Sequence, residues 1–259
     1  TGKRSETMNF QGRTAIVTGG NGYIGGTISR KLLEQGASVA IFDIALENAR
    51  KTAEEFENAY PVSVDLTNPD SVQAAVAGTI KHFGKADLLV TSAGGSARSR
   101  MKPFAEQDMN VIRGIIEMNL FGALHVIHAV VPHMFRQNYG RIVNLSSLVA
   151  LGGVEGCADY AAAKGGIIAA TKTLAMEFGP HNVNINCVCP GKVQRPGEMP
   201  ADPEAFARKH SFLNRICSAD DIAELVLFLL SEKADYITGQ NYIIDGGRSL
   251  GLKGDHHGK

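Results

Sequence analysis

The chain has no C-x-x-C pair, no excess of charge of either sign and no apolar run near the roughly 18–20 residues that cross a bilayer. Each absence removes a class of function. With 26 basic and 26 acidic residues the formal net charge is zero, so neither nucleic acid nor a membrane surface is expected as a partner. The densest apolar stretch, residues 225–230, lies inside an amphipathic helix pattern. Residues 1–9 are polar and basic without an apolar segment, so no secretory signal is read there, and Met8 is a candidate start. Among the four cysteines, Cys187 and Cys189 stand two apart within an apolar strand pattern and read as core, while Cys157 and Cys217 are isolated. This usage suits a reducing, cytoplasmic setting. His125, His128 and His133 fall on a helix pattern, but no Cys, Asp or Glu joins them at ligand spacing. They read as surface or interface histidines, and no metal is expected.

What the chain does have is glycine, 29 in 259 residues, with a hydrophobic fraction of 44% that suits a compact protein with many tight turns. Residues 14–18 form a short apolar run, as buried parallel strands do. They lead straight into Gly19, Gly20, Asn21, Gly22, Tyr23, Ile24 and Gly25. Ile24, Ile28 and Leu32 then recur at helical spacing until Gly36. In a strand, glycine turn and helix start, the backbone can approach a pyrophosphate and free N–H groups meet its charge. Residues 38–43 are a second strand ending in Asp43, 18 residues after Gly25, where a carboxylate can accept hydrogen bonds from an adenosine ribose. It would repel a 2′-phosphate, and the glycine turn holds no Arg or Lys to attract one. NAD is therefore expected over NADP.

The same beat repeats. Further strands are expected at 61–65, 87–91, 140–147, 183–191 and 240–247. Between them fall helices opened by Asn68 and Pro69, by Tyr160 and by Ser218, and a long helical region at 105–137 interrupted by Gly114 and Pro132. Strands alternating with helices imply an α/β fold, a seven-stranded parallel sheet with helices on both faces. No linker divides it, so one domain is expected over 10–250, with polar tails at 1–9 and 251–259, the second holding His256 and His257.

Tyr160 and Lys164 are four apart, which on a helix brings both side chains to one face. A free phenol titrates near 10, and a cation held close favours the phenolate, turning tyrosine into a proton carrier at neutral pH. The pair alone is weak, since chance supplies roughly 0.3 such pairs in a chain of this composition. Its company decides. Thr18-Gly19 with Gly25, Asp65, Ala93-Gly94, Asn119, Ser147 thirteen residues before Tyr160, Tyr160-x-x-x-Lys164 and Pro190-Gly191 occur in order, followed by the closing Asp245-Gly246-Gly247. Over about residues 10–247 the chain resembles the short-chain dehydrogenase/reductase family, in its single-domain form of roughly 250 residues.

The resemblance implies a Rossmann-like doubly wound fold and an oxidoreductase that interconverts a secondary alcohol and a ketone by hydride transfer. It makes Tyr160 the general acid/base and gives Lys164 the task of lowering the tyrosine pKa and holding the nicotinamide ribose. Ser147 would donate to the substrate oxygen, and Asn119 would anchor a water that relays protons to Lys164. It assigns NAD contacts to Gly19, Asn21, Gly22, Tyr23, Ile24, Gly25, Asp43, Asp65, Leu66, Ala93, Gly94, Pro190, Gly191 and Val193, besides Tyr160 and Lys164. A homotetramer is the usual assembly, through helices near 119–137 and 160–178.

Three positions depart from the family pattern. Tyr23 replaces the middle glycine of the turn, Ser92 replaces an asparagine whose amide ties neighbouring elements together, and Arg195 stands where a threonine meets the nicotinamide carboxamide. They leave a second class open, a catalytically silent member acting as a binding or structural subunit. The Tyr23 turn alone suggests a third, an epimerase or dehydratase, for which the chain is short. Cations after the fourth strand (Arg98, Arg100, Lys102) and after the sixth (Lys192, Arg195, Arg208, Lys209, His210) raise the expectation of an anionic substrate. Glu198, Asp202 and Glu204 lie nearby to offset them.

Overall fold

The computed structural model describes residues 8–96, 98–195, 197–198 and 200–250. All but residues 8 and 9 of the expected tails, including His256 and His257, lie outside these. Seven parallel strands form one sheet in the order β3-β2-β1-β4-β5-β6-β7. They are β1 (Thr14–Thr18), β2 (Ser38–Asp43), β3 (Ala59–Ser63), β4 (Leu88–Thr91), β5 (Gly140–Leu145), β6 (Val183–Pro190) and β7 (Asn241–Ile244). The helices between them are α1 (Tyr23–Glu34), α2 (Leu46–Glu55), α3 (Pro69–Phe83), α4 (Met109–Ile116), α5 (Gly122–Gln137), α6 (Val149–Gly152), α7 (Ala158–Phe178), α8 (Pro203–His210) and α9 (Ala219–Leu230).

Both faces of the sheet are covered, which is why its central strands read as continuous apolar runs. Successive residues of a strand face opposite ways, so Ala15 and Val17 pack toward α1 and α9 while Ile16 packs toward α3 and α5. Asn68 caps α3 by accepting the Asp70 and Ser71 N–H groups, with Pro69 at its first position. Ser218 and Asp221 form a reciprocal capping box on α9.

Several boundaries differ from the sequence reading. The third strand begins earlier and accommodates Pro61 because it is an edge strand. β5 and β7 stop short of Ser147 and Gly247, since the chain turns there: the Asp245 carboxylate takes the Gly247 and Ser249 N–H groups at 2.8 and 2.7 Å. Three helices were not expected, the shortest being the four-residue α6 just after Ser147. α2 has no side-chain cap and a single fully buried apolar residue, Ala49, whereas α8 carries an Asp202-Pro203 start that resembles an ordinary turn. The long helical region is not broken at Gly114 or Pro132. It runs without interruption from 109 to 137 and widens into a π-turn at Glu117–Phe121, where the Asn119 amide donates to the Ile115 carbonyl at 2.9 Å. By length and composition that helix is apolar enough to cross a bilayer, but Val126, Ile127, Val130, Val131 and Met134 spend their apolar surface in the core.

A buried polar chain locks the centre of the sheet to α7. Thr91 Oγ1 donates to Asn144 Oδ1 at 2.8 Å, Asn144 Nδ2 donates to Thr171 Oγ1 at 3.0 Å, and Thr171 donates to the Ile167 carbonyl at 2.8 Å. Replacing Asn144 with alanine strands the Thr91 hydroxyl in the core. Denaturant unfolding of Asn144→Ala is expected to show a loss of about 1–3 kcal/mol, and a loss within error of zero would mean the chain carries no stability.

Candidate active site

The loops that carry the expected cofactor residues all fall at one end of the sheet, at the C-terminal ends of the strands. The glycine turn follows β1, Asp43 ends β2, Ala93 and Gly94 follow β4, Ser147 follows β5, and Pro190 ends β6 with Gly191 next. The strand order reverses between β1 and β4, and at such a point the loops diverge and open a crevice.

The walls of that crevice are built from glycines with no room for a side chain. A Cβ on Gly19 would lie 2.9 Å from the Ala93 Cα, and one on Gly191 would lie 2.8 Å from the Asp245 Cβ. A Cβ on Gly25 would strike the Gly19 carbonyl, and one on Gly94, whose φ is +129°, would strike Asn119 Oδ1. Gly22 starts α1 without any side-chain cap, and no acidic residue sits in the first turn. The N–H groups there lack intrahelical acceptors and point to where an anion would be received. Asp43 is half-buried at the strand end, its Oδ1 accepting the Ala45 N–H at 3.1 Å. An uncapped helix start, a bare backbone cradle and a strand-end carboxylate suit a dinucleotide.

Tyr160 lies in the first turn of α7 and is half-buried, and Lys164 follows one turn later. Lys164 is buried; its Nζ donates to the Leu145 carbonyl at 2.8 Å and stands 6.0 Å from the centre of the Tyr160 ring. Burial lowers the Lys164 pKa to about 8, with the Cys187 and Cys189 thiols acting in the opposite sense. Ser147 Oγ accepts the Val149 N–H at 3.2 Å, which leaves its own proton to give. Asn119 clamps the loop after β4: its Oδ1 accepts the Gly95 N–H at 3.0 Å and its Nδ2 donates to the Gly95 and Ile115 carbonyls. Both amide hydrogens are thus engaged, and the second lone pair of Oδ1 is what remains for a water.

The outer positions are less uniform. Asp65 accepts the Thr67 N–H and hydroxyl through Oδ1, and these bonds lower its pKa. The Leu66 side chain is buried in the core, and its carbonyl lies 2.9 Å from His125 Nδ1. His128 is exposed and His133 half-buried. Val193 bridges to Cys217, which fixes the loop after β6 against the start of α9. Tyr23 is exposed and borders a surface depression with Thr27, Arg30 and Thr52 on the outer side of α1. The tie that Ser92 cannot supply through an amide is made by Thr18, whose Oγ1 accepts the Ser92 and Ala93 N–H groups at 3.0 and 3.2 Å. Arg195 is exposed. Part of the expected cationic rim is neutralised, since Lys192 faces Glu198 at 3.9 Å and Arg208 faces Glu204 at 3.4 Å.

Comparison with known proteins agrees with this geometry. The family model described as enoyl-(acyl carrier protein) reductase matches residues 21–249. The chain is 35% identical over 249 residues to (2S)-[(R)-hydroxy(phenyl)methyl]succinyl-CoA dehydrogenase subunit BbsD of Thauera aromatica, covering 94% of this chain and 99% of that one. This chain belongs to the short-chain dehydrogenase/reductase family. A second member, 3-oxoacyl-[acyl-carrier-protein] reductase FabG of Thermotoga maritima, is 32% identical over 246 residues, 93% of this chain and 99% of that one. A third, L-fucose dehydrogenase of Oryctolagus cuniculus, is 32% identical over 251 residues, 93% and 87% respectively. As a short-chain dehydrogenase/reductase, the chain is an oxidoreductase.

Sequence reasoning named Thr18 as part of the motif but did not foresee its bonds to Ser92 and Ala93, because a hydroxyl at a strand end carries no signal of its partner. It also missed Ser146, whose Oγ donates to the Lys164 carbonyl at 2.8 Å.

The buried ammonium has a consequence for stability. Below about pH 8 both the folded and unfolded chains carry a protonated Lys164, and the burial penalty is fully present. Between about 8 and the ordinary 10.5 the unfolded chain binds more protons, so the penalty shrinks as pH rises. The stability of wild type relative to Lys164→Met is therefore expected to rise across that window, by at most about 3 kcal/mol. A difference that stays flat with pH in denaturant unfolding would refute it.

Proposed function

We propose that this chain is an NAD-dependent oxidoreductase that interconverts a secondary alcohol and a ketone, with Tyr160 as general acid/base. The observation that carries the reading is the buried Lys164 ammonium one helical turn from the Tyr160 phenol. A cation held there favours the phenolate and lets Tyr160 take and return the proton of the substrate hydroxyl. Ser147 donates to the same oxygen as negative charge develops on it. NAD, when bound, accepts or supplies the hydride; the chain's own residues hold the two reactants at reacting distance and move the proton.

The preference for NAD rests on Asp43, followed by Ile44 and Ala45 rather than by a cation. A silent subunit is disfavoured, since it has no physical need of Ser147, Tyr160, Lys164 and Asn119 together, or of a lysine buried at a cost to stability. An assembly of four copies fits the outer faces of the π-turn and α7, which leave Phe121, Ala162, Ala169 and Met176 exposed.

Tyr160→Phe removes one oxygen with little change in packing. Its kcat is expected to fall about 10²–10⁴-fold while NAD affinity persists, and activity within about threefold of wild type would overturn the assignment. Wild type is expected to prefer NAD in nicotinamide-absorbance assays, and Asp43→Ala with Ile44→Arg to shift that preference toward NADP. A wild-type preference for NADPH would contradict the role given to Asp43.

A further inference from the structure

His125 is a helical histidine that the proposed reaction does not use. It lies in the first turn of α5, half-buried, with its Nδ1 2.9 Å from the Leu66 carbonyl in the loop after β3. A carbonyl only accepts, so Nδ1 carries the hydrogen and donates. Helix and loop meet at Gly122, where a Cβ would come within 3.1 Å of the Leu66 Cβ. The close approach is possible because position 122 carries no side chain.

The bond reaches further than Leu66. The Leu66 carbonyl and the Thr67 N–H belong to one planar trans peptide unit and point opposite ways. His125 donates to the first, and the second donates to Asp65 Oδ1 at 2.9 Å, joined there by the Thr67 hydroxyl at 2.7 Å. Through one rigid plane the imidazole thus bears on the exposed carboxylate of Asp65. The Leu66 N–H, one peptide earlier, meets no acceptor among the described residues. The strand order says what this loop faces. Outward from the point where the order reverses come β1, β2 and β3. The glycine turn after β1 suits a diphosphate, and Asp43 at the end of β2 suits the adenosine ribose. The next group out, the base, then falls at the end of β3. The loop there is tied to the ribose side, the Val64 N–H donating to the Asp43 carbonyl at 3.2 Å.

We propose that His125 is a positioning residue for the adenosine half of the dinucleotide, acting from α5 through the Leu66–Thr67 peptide to hold the Asp65 carboxylate where the base is received. The inference rests on the cofactor reading above and not on proton transfer at Tyr160. A carboxylate ordered in advance loses less freedom when it meets its ligand, so removal of the imidazole donor should appear in cofactor affinity. The carbonyl that accepts from His125 also makes the N–H of the same peptide unit a stronger donor to Asp65.

The test is calorimetric binding of ADP-ribose, which carries the adenosine and the diphosphate without the nicotinamide. His125→Leu keeps a side chain branched at Cγ and removes the donor, whereas His125→Asn restores an amide nitrogen at the same distance from the backbone. His125→Leu is expected to weaken ADP-ribose binding about fivefold or more, and His125→Asn to stay within about twofold of wild type. Asp65→Ala should weaken binding too. Adding His125→Leu to it should cost less than about twofold more, because the imidazole then has no carboxylate to act on. Equal affinities in His125→Leu and wild type, no rescue by His125→Asn, or strict additivity with Asp65→Ala would overturn the proposal. Should His125→Leu fail to fold, His125→Gln, whose amide lies one bond further out, replaces it in each comparison. A wild type that binds no ADP-ribose at millimolar concentration sinks the cofactor reading and the proposal with it. A wild type that binds beside an unaffected His125→Leu condemns the positioning role alone.

Discussion

A charged amine inside a protein core is the constraint on which this site depends. Lys164 is received there by a backbone carbonyl, that of Leu145, which accepts from it at the point where β5 ends. That single bond fixes the height of α7 on the sheet and brings Tyr160 above the strand ends. Ser146 adds a second tie between the same two elements, and the Thr91–Asn144–Thr171 chain a third deeper in the core. Strand end and helix are thus joined three times within a short span, the rigidity that the proposed proton transfer requires.

The crevice beside it is governed by a different rule, the exclusion of side chains. Gly19, Gly25, Gly94 and Gly191 each bring backbone so close to a neighbour that a methyl group has no place. Thr18 and Asn119 then knit the resulting loops, the first joining the turns after β1 and β4, the second fastening Gly95 to the π-turn. Hydrogen bonds supply the order that packing cannot provide where glycine is compulsory.

Much of this was legible in the chain itself, for identifiable reasons. Seven strands could be read because strands buried on both faces are short and apolar, and α3 and α9 because Asn68, Pro69 and Ser218 announce their starts. The Tyr160–Lys164 pair is legible because helical spacing is a local property. What escaped was whatever depends on a partner distant in sequence. Nothing near Ser146 foretells Lys164, and nothing near Thr18 foretells Ser92. Gly114 and Pro132 looked like breaks, yet the helix deforms at Asn119, where a side chain turns back on its own ladder. α2 stayed hidden because Ala45 is no cap and its surface is nearly all polar.

The π-turn has one more effect. One extra residue in a helical turn rotates everything downstream by about 100° around the axis. The apolar stripe of α5 meets the core only after that rotation, whereas α4 upstream keeps the earlier phase, with Ile112 and Ile115 buried. The two halves of the long helix are thus cut to different angular frames, and Asn119 sits on the seam. Wound as a uniform spiral, the same sequence would turn Val126, Val130 and Met134 about 100° away from the sheet, whereas deleting one residue within 117–121 would restore the spiral with all three still facing it. The irregularity is what lets one helix fasten the loop after β4 at its front and fill a hydrophobic core at its back.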